Sequence, residues 1–224
     1  SWFKSLTLLN EACLAEENQA QRDIACLTHK QSASLDLTEL IKLSSERQRG
    51  VLKYWCLVSK DLELGWNKLH QIVSEFLPAA IKSSTNFKIG EYKLSSFRGA
   101  LHIVPAEEPR LLGCTWDLKE NDEIALENNG VLKAREVGNG GISLKLNGPL
   151  EIKYRRGGEV LKTAEGRSKT LKKILLEAGV QPWERARIPL VYQHEELIAV
   201  VGVCVCQKAQ AGYGQKGYAI TWFK

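Results

Sequence analysis

Ten basic side chains crowd into residues 151–187: Lys153, Arg155, Arg156, Lys162, Arg167, Lys169, Lys172, Lys173, Arg185 and Arg187. Five acidic residues accompany them, so this stretch alone carries the +5 excess of the 224-residue chain. Guanidinium and ammonium groups gathered this way suit the holding of phosphates along a polyanion. A helix over 168–178, N-capped by Ser168, would set Lys169, Lys172 and Lys173 opposite a stripe of Leu171, Ile174, Leu175 and Ala178. Arg167 would stand just before its N-terminus, where unpaired N–H groups and the helix dipole also favour a phosphate. Arg155 and Arg156 are expected to end the preceding strand and lead into Gly157 and Gly158. After the helix, Trp183, Arg185 and Arg187 offer an indole beside two guanidinium groups, a set able to stack on a base while holding phosphates. Three lysines on a helix face are, on their own, more often a solvated exterior, and Trp183 after a helix end is more often a core plug. What favours nucleic acid is the concentration of charge on three neighbouring elements.

Residues for catalysis are harder to find. No phosphate-binding loop opens a helix after a strand, and Gly140-Gly141 and Gly157-Gly158 are lone pairs. The four histidines, His29, His70, His102 and His194, lie far apart and form neither a metal-ligand spacing nor a nucleophile–base arrangement. His29 and His194 fall in polar loops, while His70 and His102 read as structural residues of amphipathic elements. Six cysteines include no C-x-x-C pair, which argues against structural zinc. Cys204 and Cys206 would share one face of a strand as small buried side chains, and free thiols fit a reducing cytoplasm. A self-contained enzyme finds no support here.

The elements that must position the basic set can be read from periodicity. At 44% hydrophobic and 25% charged residues the composition is that of a globular protein. The chain begins at Ser1 and has no Met, so it is expected to be processed or cut from something longer. Ser1 to Cys13 lacks the pattern of a secretory leader, and the longest apolar run, Leu197 to Cys206, is only strand-sized. Leu6, Leu9, Cys13, Ala20, Ile24 and Leu27 recur at helical spacing, followed by a short apolar set from Leu35 to Leu43. Ser44 or Ser45 would cap a helix carrying Val51, Leu52, Trp55 and Cys56 inward. A further helix over Asn67 to Phe76 is expected to stop at Pro78. Then come alternating strands Phe87–Ile89, Tyr92–Leu94 and Leu101–Ile103, with a turn at Arg98-Gly99. Residues 105–114 read as a linker. Strands are expected at Glu123–Leu126, Val131–Ala134, Ile142–Leu146, Leu150–Arg155, Ile188–Tyr192, Leu197–Val205 and Tyr218–Phe223. Asn129-Gly130, Asn139-Gly140-Gly141 and Asn147-Gly148 supply turns between them. Gly179 is placed to end the basic helix, with Pro182 beyond. The class is therefore α+β. A small helical domain with a short antiparallel meander (1–108) precedes a mainly β domain with one inserted α-helix (113–224).

Residues Gly166 to Tyr192, GRSKTLKKILLEAGVQPWERARIPLVY, resemble the C-terminal domain signature of the tRNA(Ile)-lysidine synthetase family. Lys172 and Lys173 match its helix lysines, Pro182-Trp183 its Pro-Trp pair, and Arg185 the arginine that follows. Ala199-Val-Val-Gly202 is similar to the next strand. Leu8 to Glu17 and Arg49 to Trp55 resemble the family's helical middle domain, so the likeness covers nearly the whole chain. Gln181 departs from the family's usual Pro. The resemblance implies a cytoplasmic protein that recognises a CAU-anticodon isoleucine tRNA, with the middle domain near the anticodon stem and the last domain on the acceptor stem. It further implies an N-terminal ATPase domain as partner, where ATP and Mg would be used to join lysine to the wobble cytidine. That domain's Ser-Gly-Gly-x-Asp-Ser loop has no counterpart here, so this piece alone is expected to be inactive. A basic module that docks an acidic partner, or the parent enzyme's own front domain, is the other reading.

Overall fold

Apolar residues at helical spacing organise the first of two compact units, Ser1–Glu107, while alternation organises the second, Glu108–Lys224. The computed structural model describes residues 2–28, 33–143, 148–162 and 166–224. His29, Asn147 and the end of the strand expected through Leu146 lie outside them. Among the described residues no helix is long and apolar enough to cross a membrane.

In the first unit, α1 (Trp2–Leu27) buries Ala20 and Leu27, while residues 10–19 lie open to solvent. A two-residue strand β1 (Leu35–Asp36) leads into α2 (Leu37–Leu40), whose N-terminus Asp36 caps by accepting from Thr38 N–H at 2.8 Å. Ser44 caps α3 (Ser45–Lys60), which carries Val51, Leu52, Trp55 and Cys56 into the core as their spacing requires. Gln48 is buried beside them, and its amide donates to the carbonyls of Ile41 (3.2 Å) and Leu43 (2.9 Å).

The next helix does not stop at Pro78. After α4 (Trp66–Gln71) the backbone widens into a π turn at Ile72–Phe76 and continues as α5 (Leu77–Lys82). Leu77 N–H reaches back to Ile72 O, five residues, which shifts the ladder just where Pro78 has no N–H to give. His70 is exposed on α4, not a packed structural histidine. Three strands follow as the alternation predicts: β2 (Asn86–Ile89), β3 (Tyr92–Phe97) and β4 (Ala100–Pro105), with Arg98 and Gly99 both at positive φ in the turn. Leu35 pairs with Leu101, which adds β1 to the edge in the order β1-β4-β3-β2.

The second unit holds two antiparallel sheets over one core. One sheet runs β14-β13-β12-β9-β5, from β5 (Cys114–Trp116), β9 (Leu150–Lys153), β12 (Leu190–Gln193), β13 (Glu196–Val200) and β14 (Cys204–Val205). The other runs β6-β7-β15-β8, from β6 (Glu123–Leu126), β7 (Gly130–Val137), β8 (Ile142–Ser143) and β15 (Gly217–Phe223). Gly130 has φ +76, and a Cβ there would collide with the Phe223 carbonyl, so the turn into β7 needs glycine.

The apolar run Leu197–Cys206 is therefore a hairpin and not one strand. Gly202, at φ +73, reverses the chain, leaving Cys204 half-buried and Cys206 buried beyond the return strand. Continuous apolar character hides such a turn, because nothing alternates to mark it.

A separate ribbon, β10 (Val160–Lys162) with β11 (Ser168–Thr170), precedes α6 (Leu171–Glu177). The helix thus starts later than its sequence predicts. Thr170, not Ser168, is the N-cap, and Ser168 and Lys169 are extended because they pair with Lys162 and Leu161. Its end is as expected: Gly179 at φ +72, with Val180 N–H on Leu175 O (2.9 Å) and Gly179 N–H on Leu176 O (3.1 Å). Leu171, Ile174 and Leu175 are buried, each contributing about 2 kcal/mol of burial.

Candidate nucleic-acid interface

The site begins where β9 ends. Arg155 and Arg156 fall beyond Lys153, in a loop and not on the strand as expected. Gly157 (φ +102) and Gly158 (φ +85) then turn the chain sharply, and Glu159 folds back over the turn. Its Oε1 accepts from Arg156 N–H at 2.5 Å and Gly157 N–H at 2.8 Å. Burial works to raise its pKa, but the backbone N–H groups of Arg156, Glu159 and Gly157 and the charge of Arg155 outweigh it and hold the carboxyl below its ordinary value.

From Glu159 the chain enters β10, and the ribbon's register brings Thr170 opposite Val160. Glu159 O accepts from Leu171 N–H at 2.9 Å, tying the arginine loop to the first residue of α6. Lys172 and Lys173 stand exposed on that helix, across from its buried stripe. The fold thus brings Arg155, Arg156, Lys172 and Lys173 to one end of the ribbon, with Lys162 and Arg167 toward the other. Among the described residues none of those four carries a carboxylate within ion-pair distance. Lys133, Lys153, Lys169, Lys208, Lys216 and Lys224 each do.

Lys169 does not join Lys172 and Lys173 on a helical face. It lies on β11 and pairs with Glu177 at 2.9 Å, and this pairing, first among its causes, lowers the Glu177 pKa. Trp183 is half-buried within the turns that follow α6. Arg185 and Arg187 do not flank it as two open guanidinium groups. Arg185 Nε donates to Val180 O at 2.9 Å, and Arg187 Nε donates to the buried Asn129 Oδ1 at 3.2 Å. Both brace the turn.

Sequence reasoning counts Lys153 among the charges without giving it a place at the site, and gives Tyr192 and Glu159 none. Lys153 Nζ sits 5.0 Å from the ring centroid of Tyr192, which places an aromatic ring beside the arginine loop. Burial, then the Glu159 charge, raise the Tyr192 pKa, while Lys153 and Arg156 lower it, so all four groups feel one another. The third is Glu159, whose acidic character alone would exclude it from a phosphate surface. No local pattern marks these residues, since strand pairing and a loop reversal assemble them.

The first unit has a cleft of about 590 Å³ between α1, α3 and α4. Trp66 lines it at 64% exposure, with the Arg49 guanidinium 4.7 Å from its ring. Lys53, Glu16 and Glu46 lie around them, so the cleft is close to neutral. One wall is fixed by Arg47, whose Nε and Nη2 reach Asp23 at 3.0 and 2.5 Å. Those hydrogen bonds, ahead of any other cause, lower the Asp23 pKa.

Two domain descriptions match the chain, one in each unit. The TilS substrate binding domain matches residues 35–102, and the TilS substrate C-terminal domain matches residues 150–222. A tRNA(Ile)-lysidine synthase of Coxiella burnetii is 27% identical over 217 residues, covering 95% of this chain and 46% of that protein. One from Hamiltonella defensa is 28% identical and is covered for 46% of its length by 89% of this chain. One from Serratia proteamaculans is 25% identical, with 99% of this chain on 52% of it. The chain therefore spans about half the length of the relatives it matches. With both units matched, over more than half of its residues, the chain belongs to the tRNA(Ile)-lysidine synthase family.

Proposed function

We propose that this chain is the tRNA-recognition part of a tRNA(Ile)-lysidine synthase, an enzyme that uses ATP to join lysine to the wobble cytidine of a CAU-anticodon isoleucine tRNA. The observation that carries the reading is the convergence of Arg155, Arg156, Lys172 and Lys173 at one end of the β10–β11 ribbon, on a loop and a helix tied by the Glu159–Leu171 hydrogen bond. Cations on a rigid frame suit phosphates of an A-form helix, whose base edges lie out of reach in a deep, narrow groove. Trp66, with Arg49 beside it, is the contact assigned to the first unit, an indole open for stacking on an unpaired base or ribose. ATP and Mg are assigned to no residue of this chain, and the ATPase part of such an enzyme is its expected partner.

The test is tRNA binding measured across salt concentrations. Affinity should fall with a log–log slope of roughly 0.7–0.9 per phosphate contact. Transcripts of other tRNAs should bind nearly as well as the isoleucine one, because shape and phosphates carry no isotype information. A chain that binds no tRNA at low salt, or binds it with no salt dependence, sinks the reading and favours docking of an acidic protein partner instead.

A further inference from the structure

We infer that Glu159, the acidic residue amid the basic surface, is the positioning residue that sets Arg155 and Arg156 beside Lys172 and Lys173 for contact with RNA phosphates. The inference rests on the RNA-binding reading above. Glu159 holds both halves of the surface at once. Its side chain takes the N–H groups of Arg156 and Gly157, and its carbonyl takes Leu171 N–H at the start of α6. Among the described residues no other hydrogen bond holds the backbone of 155–158. Two glycines at positive φ give this loop many alternatives, so without the carboxylate the arginines would have to be ordered on binding.

A second observation shows how the side chain is held. Glu159 Oε2 is shut off from solvent and has no hydrogen-bond partner among the described residues. One oxygen thus takes both N–H groups while the other is enclosed, which fixes the orientation of the carboxylate over the turn.

Charge and geometry predict opposite outcomes for two substitutions. Glu159→Gln removes a negative charge but keeps an oxygen to accept both N–H groups. Glu159→Asp keeps the charge but shortens the side chain by one methylene, so it cannot span the turn. Each variant of the chain is titrated with tRNA between roughly 50 and 200 mM salt, the range over which phosphate contacts separate clearly. If Glu159 positions the loop, the Asp variant binds about tenfold more weakly. Its salt slope then drops by about 1 to 2, as for one or two lost phosphate contacts. The Gln variant should stay close to the parent chain. An Asp variant that matches the parent, with a Gln variant that binds more tightly, shows simple electrostatics and overturns the inference while leaving the RNA-binding reading intact. On an Arg155→Ala/Arg156→Ala background the Asp substitution should change nothing further, and an added loss there would mark a general structural defect and likewise overturn it. A parent chain that binds no RNA removes both readings together.

Discussion

Arg187 and Asn129 hold each other through two opposed hydrogen bonds, although they lie 58 residues apart. Arg187 Nε donates to Asn129 Oδ1 at 3.2 Å, and Asn129 Nδ2 donates to Arg187 O at 2.8 Å. Asn129 also donates to Tyr154 OH at 3.2 Å, and its carbonyl accepts from Trp222 Nε1 at 2.7 Å. Asn129, the turn residue before β7, is thus a buried hub joining three strands' ends. Asn129→Ala removes its side-chain hydrogen bonds to the half-buried Arg187 and Tyr154, while keeping the main-chain bond to Trp222, and should cost about 1–3 kcal/mol. Urea unfolding reads this as a lower midpoint at constant slope, and a change under about 0.5 kcal/mol would show the hub to be incidental.

Lys172 and Lys173 make the complementary case. Both are exposed, so Lys172→Ala/Lys173→Ala should leave the melting temperature nearly unchanged. The salt slope of tRNA binding should drop by about 2 if each holds one phosphate. An unchanged slope removes them from the interface.

Trp66 should behave differently from the lysines. At 64% exposure its loss to alanine leaves the helical unit folded. Stacking on a base contributes about 1–3 kcal/mol without counter-ion release, so Trp66→Ala should weaken tRNA binding by roughly five- to a hundredfold at an unaltered salt slope. A lowered slope would mean that Arg49, and not the indole, makes the contact.

Asp23 gives the helical unit an acid-sensitive tie. Its pKa is lowered in the folded chain, chiefly by hydrogen bonds from Arg47. A depressed carboxyl adds stability that is complete above its unfolded value of 3.8 and disappears as pH falls through the folded value. Asp23→Asn should therefore be less stable at pH 7, by about 1–3 kcal/mol. The gap to the parent chain should close as pH drops below 3.8. A gap constant with pH would show that the pair's charge contributes nothing.

Local features were the legible ones. The Ser44 cap, the Gly179 helix end and the Arg98-Gly99 turn each follow from a few neighbouring residues, and each is in place. Elements that depend on a distant partner were not. Lys169 reads as helical until Leu161 claims it for the ribbon, because nothing between residues 160 and 170 announces that pairing. Pro78 reads as a helix stop because the π turn that accommodates it lies in ordinary helix-forming residues. For the candidate site the charges were readable and the frame was not. Arg155, Arg156, Lys172, Lys173, Arg185 and Arg187 are alike by type, and only the bonds from Arg185 to Val180 and from Arg187 to Asn129 set the last two apart. Glu159 has the wrong charge for its surroundings and becomes visible only through the two N–H groups it receives.

The position of β15 has a consequence for how this polypeptide is made. That strand lies between β7 and β8, and pairs with β7 along Gly217 to Phe223. During synthesis every other strand of its sheet leaves the ribosome first, and β7 waits through some eighty residues with an open edge. Until Gly217 to Phe223 emerge, β7 presents unpaired N–H and C=O groups and β8 lacks its neighbour in the sheet. A truncated translation product ending before Gly217 would therefore resemble a misfolded chain to the cell's chaperones and proteases, however complete its basic surface.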